Sequence, residues 1–89
     1  MQGENQKNFI NNLPRLQWAC RRGMLELDVL LGNFLKKGYQ HISAEQKEKF
    51  VELLSYPDPL LFAWLIKAET PTDQSFAQLI EIIRQYARI

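Results

Sequence analysis

Helix breakers interrupt this chain so often that they limit its possible folds more than any other feature. Pro14, Gly23, Gly38, the Pro57-Asp58-Pro59 triplet and Pro71 divide it into stretches of a few turns each. Within those stretches apolar residues recur at three- and four-residue spacing, and none alternates long enough with the period of two that a strand requires. The pattern predicts an all-α fold, a compact bundle of five short helices in a single domain. Eighty-nine residues leave no room for a second core. A chain of that size buries roughly 60–65% of the surface its unfolded form exposes, so its stability is expected to be modest.

The punctuation places the elements. Residues 1–11 are polar and aperiodic and read as a flexible N-terminal tail, with the helical domain over 12–89. Asn12 caps a first helix with Pro14 in its opening turn, carrying Leu13, Leu16 and Trp18 to about residue 21. A second covers 24–37 with Leu27, Leu30, Leu31, Phe34 and Leu35 inward, Lys36 and Lys37 in its last turn and Gly38 as C-cap. Ser43 and Gln46 form a capping box for a third helix, which runs to about residue 56 with Phe50, Val51, Leu53 and Leu54 inward. Asp58 as N-cap and Pro59 as first helical residue start a fourth, to about residue 68. It is apolar on nearly every side and therefore expected at the centre of the bundle. Thr72 or Asp73 caps the last helix, whose stripe is Phe76, Leu79, Ile80, Ile82, Ile83 and Tyr86.

Composition excludes several classes of function. A net charge of +1 lacks the basic excess of a dedicated nucleic-acid binder. The longest apolar run, 60–66, is far too short to span a bilayer. A single cysteine, no signal peptide and an N-terminal segment without arginine together point to the cytoplasm. One histidine and one cysteine cannot build a structural zinc site, and no glycine-rich phosphate loop occurs. Cys20 reads as a small core residue and His41 as a loop or interface residue, so the chain is not expected to be an enzyme. The charged run 45–49 reads as a solvated helix face and Trp64 as core.

Charge, backbone freedom and large hydrophobes concentrate in Trp18-Ala19-Cys20-Arg21-Arg22-Gly23-Met24-Leu25-Glu26-Leu27-Asp28. Arg22 and Glu26 stand four apart, which on a helix makes an ion pair of about 0.2–0.5 kcal/mol, in the less favourable order. Gly23 between them weakens that explanation, since glycine costs about 1 kcal/mol relative to alanine inside a helix. Two readings remain. Either the pair is an ordinary surface feature, or the glycine thins the surface so that another backbone approaches, with Arg22 as donor fork and Glu26 as acceptor beside it. Trp18 reads first as core, with an interface anchor beside the two arginines as the alternative.

Arg22-Gly23-x-x-Glu26 in this setting resembles the signature of the small succinate dehydrogenase assembly factors, or flavinylation factors. A second piece, Leu60-Leu61-Phe62-Ala63-Trp64-Leu65, follows a proline- and aspartate-bearing turn as it does in that family, and the resemblance covers roughly 13–85. One departure is Glu69, where members often carry a glycine. The resemblance implies a monomeric five-helix protein that binds the flavoprotein subunit of succinate dehydrogenase or fumarate reductase. It would promote covalent attachment of FAD to a histidine of that partner, holding no cofactor stably itself; no nucleic-acid partner and no membrane insertion are expected. Its contact region would comprise Arg22, Gly23 and Glu26, with Arg21, Asp28 and Trp18 beside them. The reading from another class is the antitoxin half of a bacterial toxin–antitoxin pair, but the chain shows neither a basic DNA-binding part nor a disordered toxin-wrapping segment. A generic helical adaptor is a third.

Overall fold

In the computed structural model, which describes residues 10–87, local capping chemistry sets most helix starts. The Asn12 side-chain oxygen accepts from the Arg15 N–H (3.2 Å) and opens α1, Leu13–Ala19, with Pro14 in its first turn. Met24 precedes α2, Leu25–Lys37, without a side-chain cap; Glu26 and Asp28 in the first turn instead suit the positive end of its dipole. A 3₁₀ turn that the periodicity does not predict follows at Tyr39–His41. Ser43 and Gln46 bond reciprocally (3.1 and 3.2 Å) as a capping box for α3, Ala44–Leu53. Asp73 Oδ1 accepts from the Ser75 N–H at 2.8 Å and starts α5, Gln74–Ala87.

Helix α4, Asp58–Leu65, departs from expectation in two ways. Its N-cap is Pro57, and Asp58 makes no cap: its carboxylate is turned to another part of the chain. Nor is α4 central. It buries Leu61 and Leu65 along one line but leaves Leu60 and the following Ile66 exposed. A bundle this small has too few neighbours to surround a two-turn helix on all sides. The centre belongs to α2 and α5, whose Leu27, Leu31, Phe34, Leu79, Ile80 and Ile83 are fully or almost fully buried. Around that pair, α1 and α4 pack on α2, and α3 packs on α5. Trp64 lies at the edge of the core, half-buried, stacked on Phe76 and edge-on to Tyr56.

Of the tail read over residues 1–11, residues 1–9 lie outside the described residues; the core extends to Ile10, which is buried with its carbonyl accepting from the Tyr39 hydroxyl at 2.8 Å. The 45–49 run is less solvated than its charges suggest. Lys47 Nζ lies 5.2 Å from the Tyr39 ring and Lys49 Nζ 4.8 Å from Phe76, so the lysine stems cover apolar surface while their heads stay at the rim. Glu69 needs no glycine. The residue in the left-handed region is its neighbour Ala68, at φ 63°, where the chain leaves α4.

Gly38 is the C-cap of α2, but not because glycine's conformational freedom is needed: its φ is −117°. The reason is space. A Cβ there would meet Tyr86 Cδ2 at 2.7 Å and Phe34 Cε1 at 2.8 Å, two rings packed edge to face across the α2–α5 contact. Gly38→Ala should therefore destabilise the bundle by about 1–3 kcal/mol through overpacking. Gly32→Ala, where nothing lies within 4 Å, should be neutral or stabilising by up to about 1 kcal/mol. Urea titrations of the two variants check this, and equal effects would remove the steric explanation.

Candidate functional site

The link between α1 and α2 has little backbone bonding of its own. The Cys20 N–H reaches Leu16 O and the Arg21 N–H reaches Trp18 O; the next backbone bond is from Asp28 N–H to Met24 O (3.0 Å), in the first turn of α2. The link is held instead by the Arg22 side chain. Nε donates to Asp58 Oδ1 at 2.8 Å, one terminal nitrogen to Ala19 O (2.9 Å) and Leu54 O (3.0 Å), and the other to Tyr56 O (2.9 Å).

These acceptors explain why an arginine is needed. Ala19 ends α1 and Leu54 caps α3, so the guanidinium sits at the negative ends of two helix dipoles while it pairs with an acid at the positive end of α4. A planar fork with five N–H groups can serve four acceptors at fixed angles, whereas a lysine ammonium cannot. Only 14% of the Arg22 side chain remains exposed. The exposed Arg22–Glu26 pair considered from spacing does not form: Arg22 turns inward to Asp58, 36 residues away.

What this leaves on the surface is distinct. Gly23 is exposed, its φ is not positive, and a Cβ added there would find no atom within 4 Å. Nothing among the described residues requires a glycine at this position. Glu26 is exposed and shares a shallow hollow on the outer face of α2 with Leu25 (71% exposed), Val29 and Asn33. Trp18, expected first as core, is 73% exposed and carries the Arg21 guanidinium 5.6 Å from its ring centroid. The reason is helix phase: Leu16 and Cys20 take the inward line of α1, and Trp18, midway between them, faces out.

Asp28 separates from this group. Two residues beyond Glu26 and so on another face of α2, it lines a cleft of about 320 Å³ between α1 and α2 with Leu13, Gln17, Gly32, Lys36 and Tyr39. Cys20 lies on the floor of that cleft. Burial pushes its thiol from 9.0 up to about 12, partly opposed by Arg22 and reinforced by Asp28. Burial, with a smaller contribution from Cys20, likewise pushes the Tyr39 hydroxyl from 10.0 up to about 12. A thiol so reluctant to ionise is a poor nucleophile. His41 is exposed and stacks on Tyr86 at 6.5 Å. The residue that spacing does not reveal is Asp58. A carboxylate between two prolines has the pattern of an N-cap, and nothing local points to Arg22 as its partner.

Comparison with known proteins gives this turn a context. Residues 14–87 match the family model Sdh5, described as flavinator of succinate dehydrogenase. The chain is 47% identical over 73 residues to the FAD assembly factor SdhE of Shewanella oneidensis, spanning 82% of this chain and 89% of that protein. It is 44% identical over 71 residues to the protein of the same name from Coxiella burnetii (80% and 87%), and 43% identical over 75 residues to that of a Serratia species (84% and 85%). These names support the assembly-factor reading and lend nothing to the antitoxin one. No helix among the described residues is long and apolar enough to cross a membrane. Matched over most of its length by the family model and by each of these relatives, the chain belongs to the Sdh5 family of succinate dehydrogenase flavinators.

Proposed function

We propose that this protein is an assembly factor that binds the flavoprotein subunit of succinate dehydrogenase and promotes covalent attachment of FAD to it. Family membership supports the choice of partner; the observation that carries the site is Gly23. Among the described residues nothing lies within 4 Å of a Cβ placed at Gly23, and its backbone is not left-handed, so the glycine is unfavourable for the fold alone and suits close approach by a partner's backbone. Glu26, Arg21 and Trp18 are the exposed groups around it, an acceptor, a donor fork and an aromatic anchor for the partner. The factor acts by conformation: binding one arrangement of the flavoprotein raises the population of that state. Held so, FAD and the acceptor histidine are aligned for reaction without chemical groups from the helper, and the flavin stays with the partner.

Gly23→Leu tests this directly. The variant should keep its helical far-UV signal and melting temperature, because the added side chain meets open space. Its support of flavinylation should fall at least tenfold when purified flavoprotein subunit and free FAD are followed by covalent flavin fluorescence. Glu26→Ala, removing an exposed group of little value to folding, should also lower flavinylation with its stability intact. Wild-type rates from both variants overturn the site, and unfolding of Gly23→Leu would make that glycine a backbone device.

A further inference from the structure

We propose that Asp58 is a positioning residue for partner docking: through Arg22 it fixes the turn that presents Gly23 and Glu26. This rests on the function proposed above and deepens it. The family-like motif lies between α1 and α2, yet the groups that immobilise it come from the α3–α4 junction, 32 to 36 residues later. Among the described residues no backbone–backbone bond from the N–H groups of Arg22, Gly23 or Met24 ties the link down. Among the described residues Asp58 is the one charged partner of Arg22, at 2.8 Å. It stands in the first turn of α4, where a carboxylate ordinarily caps free N–H groups, and α4 makes no side-chain cap bond. The carboxylate faces across to Arg22 instead.

A bare glycine is useful to a partner only if the backbone on either side holds one shape. Gly23 is the residue least able to hold it, since it adds no side chain and restricts φ least. Arg22, its neighbour, supplies the missing restraint, and Asp58 orients the fork so that its other donors fall on the Ala19, Leu54 and Tyr56 carbonyls. Preorganisation of this kind shows as affinity, because a loosened turn has to be ordered again in each complex. Asp58 thus acts on partner binding without touching the partner.

The test uses Asp58→Asn, which keeps the shape and removes the charge, and Asp58→Ala, which removes the acceptor. For each, amide hydrogen exchange is mapped in the free protein. Affinity for the purified flavoprotein subunit lacking covalent flavin is measured by calorimetry, and flavinylation at saturating factor is timed. The expected result is exchange at least tenfold faster at Arg21 and Asp28, the hydrogen-bonded amides on either side of the turn, with α5 still protected, a Kd raised tenfold or more, and an unchanged saturating rate. Faster exchange at the turn with wild-type affinity overturns the proposal, as does weaker binding with unchanged exchange. Uniformly faster exchange through α5 would reduce Asp58 to a stability residue and also overturn it. A wild-type protein that neither binds nor promotes flavinylation is a different failure: it removes the function itself, and is seen before any variant is compared.

Discussion

Replacing Arg22 by alanine should lower stability by about 2–4 kcal/mol, the range for stripping a charged donor from several partly buried acceptors and leaving one carboxylate unpaired. For a domain of this size that is a fall of about 10–25 °C in melting temperature. The lower part of the range is reached if water enters to solvate Asp58, a quarter of whose side chain is exposed. Arg22→Lys should recover only part of the loss, because one ammonium cannot reach acceptors on α1, α3 and α4 together. Thermal melts by circular dichroism check both variants. A shift of only 1–2 °C for Arg22→Ala would return Arg22 to the status of a surface residue.

Raising the pH should unfold the protein sooner than lysine deprotonation alone would. The thiol of Cys20 and the hydroxyl of Tyr39 both have folded-state values near 12, against ordinary values of 9.0 and 10.0. Below pH 9 both states keep these protons, and the groups contribute their full stability. Between pH 9 and 12 the unfolded chain releases them while the folded chain retains them, so stability declines by up to about 1.4 kcal/mol per pH unit for each group that is titrating. Urea titrations from pH 8 to 12 should show that decline. Cys20→Ala should start less stable than wild type at pH 8 by on the order of 1 kcal/mol of lost packing and then lose less with pH, so that the two curves converge. Parallel curves would show that the thiol is not the cause.

What was legible in the sequence is what is decided within one helical turn. Asn12 with Arg15, Ser43 with Gln46 and Asp73 with Ser75 are side chains that bond two or three residues ahead, and every α-helix start but that of α2 follows from such a pair or from a proline. Helix phase, which depends only on spacing, likewise gave the buried lines of α2 and α5. The candidate site was legible as a segment but not as a geometry. Arg22 faces inward because of groups contributed by 54–58, and Gly38 is small because Tyr86 comes from the far end of the chain to lie on it. Trp18 and Asp28 differ for a similar reason. Sequence proximity to the motif groups them, while the side of the helix they occupy sends one into solvent and the other into the α1–α2 cleft.

Helix α4 has an arginine at each end. Arg22 holds Asp58 and the residues leading into it, and Arg84 of α5 donates to the Trp64 carbonyl at 2.8 and 3.1 Å, with a longer bond to Glu69 O. Eight residues are too few to persist as a helix in water. The shape of α4 therefore comes from the two ends of the chain, one through the α1–α2 link and one through α5. Such a segment has no free energy of opening that is its own. Its ends loosen when either guanidinium lets go, so changes at the α1–α2 link or in α5 are both felt in α4, while the buried α2–α5 core stays closed.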